Sequence, residues 1–186
     1  MQLVLASGSP RRSEILKLIG VDFRVVVSGE EEKPTSTDPM DFPRENASIK
    51  ALALSRVEQG VVLGFDTLVF LDGKPLGKPK SEREALEMLS KLNNRGHFVI
   101  TGVAVAKDGK ILAASEEKTE VVFRDNSLQE LENYVNSKDP MDKAGAYGIQ
   151  TAGARLIKEI RGCYYNVVGL PVAKTLQLLK SLEIEV

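Results

Sequence analysis

The chain has no tryptophan, one cysteine and one histidine in 186 residues. A single Cys cannot form an intramolecular disulfide, and one Cys with one His cannot build a Cys/His zinc site or a multi-histidine centre. Any metal held here must therefore be bound mainly by oxygen. An excess of either charge is missing too. The 25 Lys plus Arg against 26 Asp plus Glu leave a formal net charge of −1, without the basic surplus of a general nucleic-acid binder. The four Tyr and six Phe show no cluster on which bases could stack. No apolar run approaches the roughly 20 residues of a membrane-spanning helix, and Met1-Gln2-Leu3-Val4-Leu5-Ala6 lacks the charged flank and length of a signal peptide. We expect a cytoplasmic protein with neither nucleic acid nor membrane as partner.

What is present reads as a globular unit with a real core. An apolar fraction of 42% with 27% charged residues is ordinary for a folded soluble chain, and the length suits one domain over residues 1–186 or two lobes on a shared sheet. Gln2 to Ala6 predicts a strand, Ser7-Gly8-Ser9-Pro10 a turn, and the spacing of Ile15, Leu16, Leu18 and Ile19 a helix ending at Gly20. Phe23 to Val27 follows as a strand. Ser28 to Pro43, acidic and carrying three prolines, reads as a mobile loop, and Glu45 to Val57 as a helix. Val61 to Leu71 predicts a buried strand, with a hairpin turn at Asp72-Gly73. Ser81 to Glu84 and Ser127 to Glu130 have the spacing of capping boxes, each opening a helix. Between them His97 to Ala106, Lys110 to Ser115 and Lys118 to Arg124 predict antiparallel strands. Asp139 to Gly153 reads as a structured loop, Ala154 to Ile160 as a strand, and Pro171 as the start of a last helix to about Leu182. Hairpins mixed with helices imply an α/β fold on a mixed, twisted sheet.

Three places could carry chemistry. In Ser7-Gly8-Ser9-Pro10-Arg11-Arg12, free amides, hydroxyls, the positive helix end and two guanidiniums suit phosphate oxygens; an N-capped surface helix with two solvated arginines is the equal alternative. Asp66 lies inside an apolar strand, where a carboxylate must be paired, ligate a metal or change its protonation; alternatively it ends the strand and serves backbone groups. Lys78, between Gly77 and Pro79, sits on a rigid turn and by itself reads as a solvated lysine. Glu30-Glu31-Glu32 could supply a metal ligand or be a solvated acidic run. His97 and Cys163 read as structural, since nothing local makes them a nucleophile pair.

Six separated motifs then coincide in order. Leu5-Ala6-Ser7-Gly8-Ser9-Pro10-Arg11-Arg12, Gly64-Phe65-Asp66-Thr67-Leu68-Val69, Leu76-Gly77-Lys78-Pro79, Thr101-Gly102-Val103, Asp142 to Gln150 and Tyr165 to Pro171 resemble the Maf family across nearly the whole chain. The resemblance implies a nucleoside triphosphate pyrophosphatase with an elongated mixed sheet and flanking helices, two lobes around a central cleft, similar to inosine triphosphate pyrophosphatases. Arg12, Thr67 and Gln150 resemble the branch acting on dTTP and UTP. A Gln amide offers a donor and an acceptor to the imide edge of uracil or thymine.

Carried over by resemblance, Ser7, Ser9, Arg11 and Arg12 would hold phosphates and Lys78 would neutralise triphosphate charge. Asp66 would accept a proton or, with Glu32, bind a divalent cation, expected to be Mg²⁺ or Mn²⁺ because the ligands are hard oxygens. The family pattern leads us to expect a Lys-Ala pair where Leu54-Ser55 aligns; Lys50, one turn earlier on the same face, is read as the substitute. The resemblance also implies a homodimer. A nonhydrolytic nucleotide-binding regulator of cell division is the alternative.

Overall fold

A computed structural model describes residues 2–186. Seven strands form one mixed sheet in the order β2-β1-β3-β5-β6-β7, with β4 paired to β3. The chain divides into two compact units. The first takes the described residues up to Thr67, Thr101–Glu117 and Gly169–Val186; the second takes Leu68–Ile100 and Lys118–Val168.

In the first unit β1 (Leu3–Ala6) is buried along its whole length. It pairs in parallel with β2 (Phe23–Val25) on one side and β3 (Val61–Leu71) on the other, with Ala6 opposite Gly64. A strand with partners on both edges and both faces buried has no polar face, which is why Leu-Val-Leu-Ala shows no alternation. The helix α1 (Pro10–Leu18) and the helix α2 (Phe42–Ser55) provide the crossovers that parallel pairing requires. Ala47 and Ala51 of α2 pack with Val4, Ala6, Val62 and Ala104 in the core of this unit. The helix α6 (Val172–Ser181) closes the chain, capped by Pro171.

In the second unit β4 (Lys74–Leu76) pairs antiparallel with the end of β3. The helix α3 (Glu82–Leu92) and the helix α4 (Leu128–Asn136) bury Ala85, Leu89, Leu92, Leu131 and Val135 in one core. Ser127 and Glu130 form the reciprocal capping box expected of them. Ser81 accepts from Glu84 N, but the Glu84 carboxylate turns to the amide of Lys80 instead of closing the box. The strand β5 (Gly96–Lys107), the turn at Asp108-Gly109 and the strand β6 (Lys110–Phe123) give Thr101–Glu117 to the first unit and their remaining residues to the second, where β7 (Ile157–Arg161) pairs antiparallel with the end of β6. His97, Phe123 and Tyr147 stack edge to face, with centroids 4.9 to 5.3 Å apart.

Several boundaries differ from expectation. β6 is continuous through Glu116 and Glu117, because neighbouring strand residues face opposite sides: Glu116 meets Arg44 at 3.6 Å and Glu117 meets Lys174 of α6 at 3.9 Å. The acidic loop is pinned: Glu45 accepts the amides of Thr35 and Ser36, and Asp41 accepts from the Ser36 hydroxyl. Asp139–Asp142, Ala144–Ala146 and Ala152–Leu156 form 3-10 turns, so β7 starts three residues later than expected. The short helix α5 (Tyr164–Val168) lacks any cap or period that would announce it. No helix among the described residues is long and apolar enough to cross a membrane.

Candidate active site

The site of the first unit is built where β1 ends against the middle of β3, beside α2. Helix α2 lies unusually close to the sheet because two strand residues have no side chain. A Cβ on Gly64 would stand 2.1 Å from Ala47 O, and one on Gly102 would stand 2.1 Å from Pro43 O. This approach brings Asn46 and Lys50, one turn apart on the same helix face, onto Asp66.

Asp66 is buried, 8% exposed, and both carboxylate oxygens are occupied. Oδ1 accepts from Lys50 Nζ at 2.8 Å and Oδ2 from Asn46 Nδ2 at 3.0 Å. Lys50 Nζ also meets Glu32 Oε1 at 2.7 Å and Phe65 O at 3.4 Å, which uses its three donors. Asp66 is therefore an active partner in a charge network and not a strand end. Lys50 thus reaches Asp66, whereas Leu54 and Ser55 are buried in the fold.

On the other side of β3 the loop after β1 and helix α1 present a second constellation. Pro10 starts the helix and Ser9 is its N-cap without a side-chain bond to it, so the Ser9 hydroxyl stays available. Ser7 Oγ accepts from Ser9 N at 3.2 Å and from Arg12 Nη1 at 2.8 Å. With both lone pairs engaged, the Ser7 hydroxyl proton is what it offers a ligand. Arg12 does not reach into solvent, being 9% exposed. It donates through Nε to Gly169 O at 2.8 Å and through Nη2 to Thr67 Oγ1 at 3.1 Å, and Thr67 shares a 2.9 Å bond with Thr101 Oγ1. Burial pulls the Arg12 pKa down to about 10, with Asp66 acting against the fall; the guanidinium keeps its charge at neutral pH. Arg11 is half-buried beside it.

Ser7, Ser9, Arg11, Arg12, Glu32, Lys50, Asp66 and Thr67 thus all lie in one unit. Lys78 and Gln150 belong to the second unit, and both are exposed. Asn46 was missed by sequence reading; its spacing from Lys50 and the need of a buried carboxylate for a neutral donor were the available signals. Thr101 stood in the Thr101-Gly102-Val103 motif without a role of its own, and the Gly169 carbonyl had no signal, since a backbone acceptor leaves no side-chain trace. Among the described residues no group of three or more His, Cys, Asp or Glu gathers as a metal cage. The donor set still suits a hard cation: two carboxylates converge on one positive charge, that of Lys50, and Mg²⁺ is commonly held by one or two carboxylates with substrate phosphates.

Residues 2–182 match the family model described as Maf-like protein. The chain belongs to the Maf family. It is 45% identical over 183 residues to a dTTP/UTP pyrophosphatase of Dictyoglomus turgidum (strain DSM 6724 / Z-1310), covering 96% of this chain and 94% of the relative. A dTTP/UTP pyrophosphatase of Aquifex aeolicus (strain VF5) is 42% identical over 185 residues, with 99% and 97% covered. Among solved structures, a HAM1 protein from Coxiella burnetii aligns at TM-score 0.58 and the Staphylococcus aureus Ham1 protein at 0.57, each at 18% identity over 98% of both chains. These two likenesses show the fold, which this Maf chain shares with the Ham1 proteins, as the resemblance led us to expect.

Proposed function

We propose that this Maf protein is a nucleoside triphosphate pyrophosphatase that hydrolyses dTTP and UTP between the α and β phosphates, releasing the nucleoside monophosphate and pyrophosphate. The observation that carries the reading is Asp66, a buried carboxylate held by Lys50 and Asn46 in the same unit as a Ser-rich helix start with two arginines. Relatives at 42–45% identity over nearly the whole chain are named dTTP/UTP pyrophosphatase, which supports the substrate class.

In this reading the Ser7 hydroxyl, Ser9, the α1 amides and Arg11 bind phosphate oxygens. Arg12 adds buried charge and fixes Ser7 and Thr67. Asp66 accepts the proton of the attacking water, oriented by Asn46, while Lys50 shares charge between Asp66 and the phosphates. Lys78 is assigned to the triphosphate and Gln150 to the imide edge of the pyrimidine. Asp66 and Glu32 would hold Mg²⁺ or Mn²⁺, which when bound supplies Lewis acidity to phosphate oxygens. The cytoplasmic address and the homodimer belong to the same proposal. The relatives' names, which give a pyrophosphatase, speak against a nonhydrolytic regulator.

The test is a panel of dTTP, UTP, CTP, GTP and 7-methyl-GTP with Mg²⁺ or Mn²⁺, following monophosphate and pyrophosphate, for the wild type and Asp66→Asn. We expect cleavage of dTTP and UTP, and a folded variant with rates at least ~100-fold lower. Normal turnover by that variant would remove Asp66 from the chemistry; binding without cleavage by the wild type would favour the regulator.

A further inference from the structure

The loop that carries Gln150 has almost no regular structure, yet it is held in an improbable backbone. Gly145 and Ala146 both sit in the left-handed region, at φ 69° and 61°. An alanine stays there only when its surroundings over-determine it. Gly145 N donates to Gly77 O at 3.0 Å, so the same loop also anchors the turn that bears Lys78.

The surroundings converge on one carboxylate. Asp139 Oδ2 accepts from Tyr134 Oη at 2.6 Å and from Thr151 Oγ1 at 2.5 Å, while Oδ1 accepts from Lys143 Nζ at 3.0 Å. Lys143, itself buried, spends its remaining donors on Asp139 O at 2.5 Å and Asp142 Oδ1 at 2.7 Å. Tyr134 Oη in turn accepts from Gly148 N at 3.1 Å, and Thr151 N closes the turn onto Gly148 O at 3.4 Å. Both ends of the four-residue turn Gly148-Ile149-Gln150-Thr151 are thereby tied to Asp139, one through Tyr134 and one directly. Gln150 is the exposed third residue of that turn.

We propose that Asp139 is a positioning residue for pyrimidine selection, fixing through Tyr134, Thr151 and Lys143 the turn that presents Gln150. The inference rests on the reading of Gln150 given under Proposed function. Only an ionised carboxylate suits the position, because every group facing it donates. Asparagine has the same volume but would turn an amide NH₂ toward one of those donors. Asp139→Asn therefore disturbs the turn and leaves the residues around Asp66 untouched.

The experiment measures kcat and KM for UTP and CTP in the wild type, Asp139→Asn, Gln150→Ala and the double variant. We expect Asp139→Asn to raise KM for UTP about tenfold with kcat within about twofold, and to lower the UTP/CTP preference about tenfold. In the Gln150→Ala background it should change the preference no further. An equal loss on both nucleotides, with preference intact, would reduce Asp139 to general support and overturn the proposal. If Gln150→Ala keeps the wild-type preference, the reading of Gln150 fails first, whatever Asp139→Asn does. Should Asp139→Asn not fold, Thr151→Val removes one donor at constant volume, and unchanged preference in that variant overturns the proposal equally.

Discussion

Replacing Gly64 by alanine adds one methyl group that touches no charged atom, yet it should disable the site. The new Cβ would lie 2.1 Å from Ala47 O and 2.9 Å from Ala51 Cβ, short of ordinary contact by roughly 1 Å. Neither atom can swing away, because one is helix backbone and the other is a Cβ, so α2 as a whole must retreat. Overpacking of this kind costs about 1–3 kcal/mol, equivalent for a chain of this size to a fall in Tm of roughly 3–10 °C. Lys50 and Asn46 ride on the same helix, and a shift of about 1 Å in groups that orient a reacting carboxylate costs on the order of 100-fold in rate. The assay pairs thermal unfolding with kcat/KM for UTP. Gly29→Ala serves as control, since no atom lies within 4 Å of the added Cβ. A Gly64→Ala protein with a lowered Tm but unchanged kcat/KM would show that the approach of α2 does not govern Asp66, and the argument for the site would fall at that step.

Arg12→Lys should behave as a severe change despite the kept charge. One ammonium cannot reproduce the planar fork that reaches Gly169 O, Ser7 Oγ and Thr67 Oγ1; a loss of about 2–4 kcal/mol is expected from urea denaturation, and an unchanged midpoint would contradict the clamp. His97 predicts a pH dependence of stability. Burial lowers its pKa to about 4, whereas the unfolded imidazole titrates near ~6.5, so between these values the unfolded chain binds a proton that the folded one refuses. The stability is fully present above ~6.5 and declines as pH falls toward 4, by about 3 kcal/mol in all. His97→Gln, which can still reach the Tyr147 hydroxyl, should flatten that part of the profile; parallel curves for the two proteins would refute it.

The elements whose causes are local were legible in the sequence. β3 was readable from Val61 to Leu71 because a buried parallel strand is a continuous apolar run bounded by turn residues, and α4 because its cap is written in four residues. Asp66 announced itself as a carboxylate without neighbours of its own kind. What could not be read was made by distance. The continuity of β6 depends on cations 72 and 57 residues away in sequence, on Arg44 and Lys174. That Lys50 reaches Asp66 depends on how closely a helix can lie over Gly64 and Gly102. Asp139 was passed over because its partners, Tyr134, Lys143 and Thr151, converge only once three irregular turns have folded.

The first unit is assembled from three stretches of chain, the last beginning at Gly169. Arg12 leaves the ribosome well before its partner, since the carbonyl that satisfies its Nε comes 157 residues later. Until then a guanidinium destined for the interior has one acceptor too few, and the serine loop bonded to it has no fixed seat. The second unit, whose two stretches both precede Gly169, can settle earlier. Vectorial synthesis thus completes the half that bears Asp66 last.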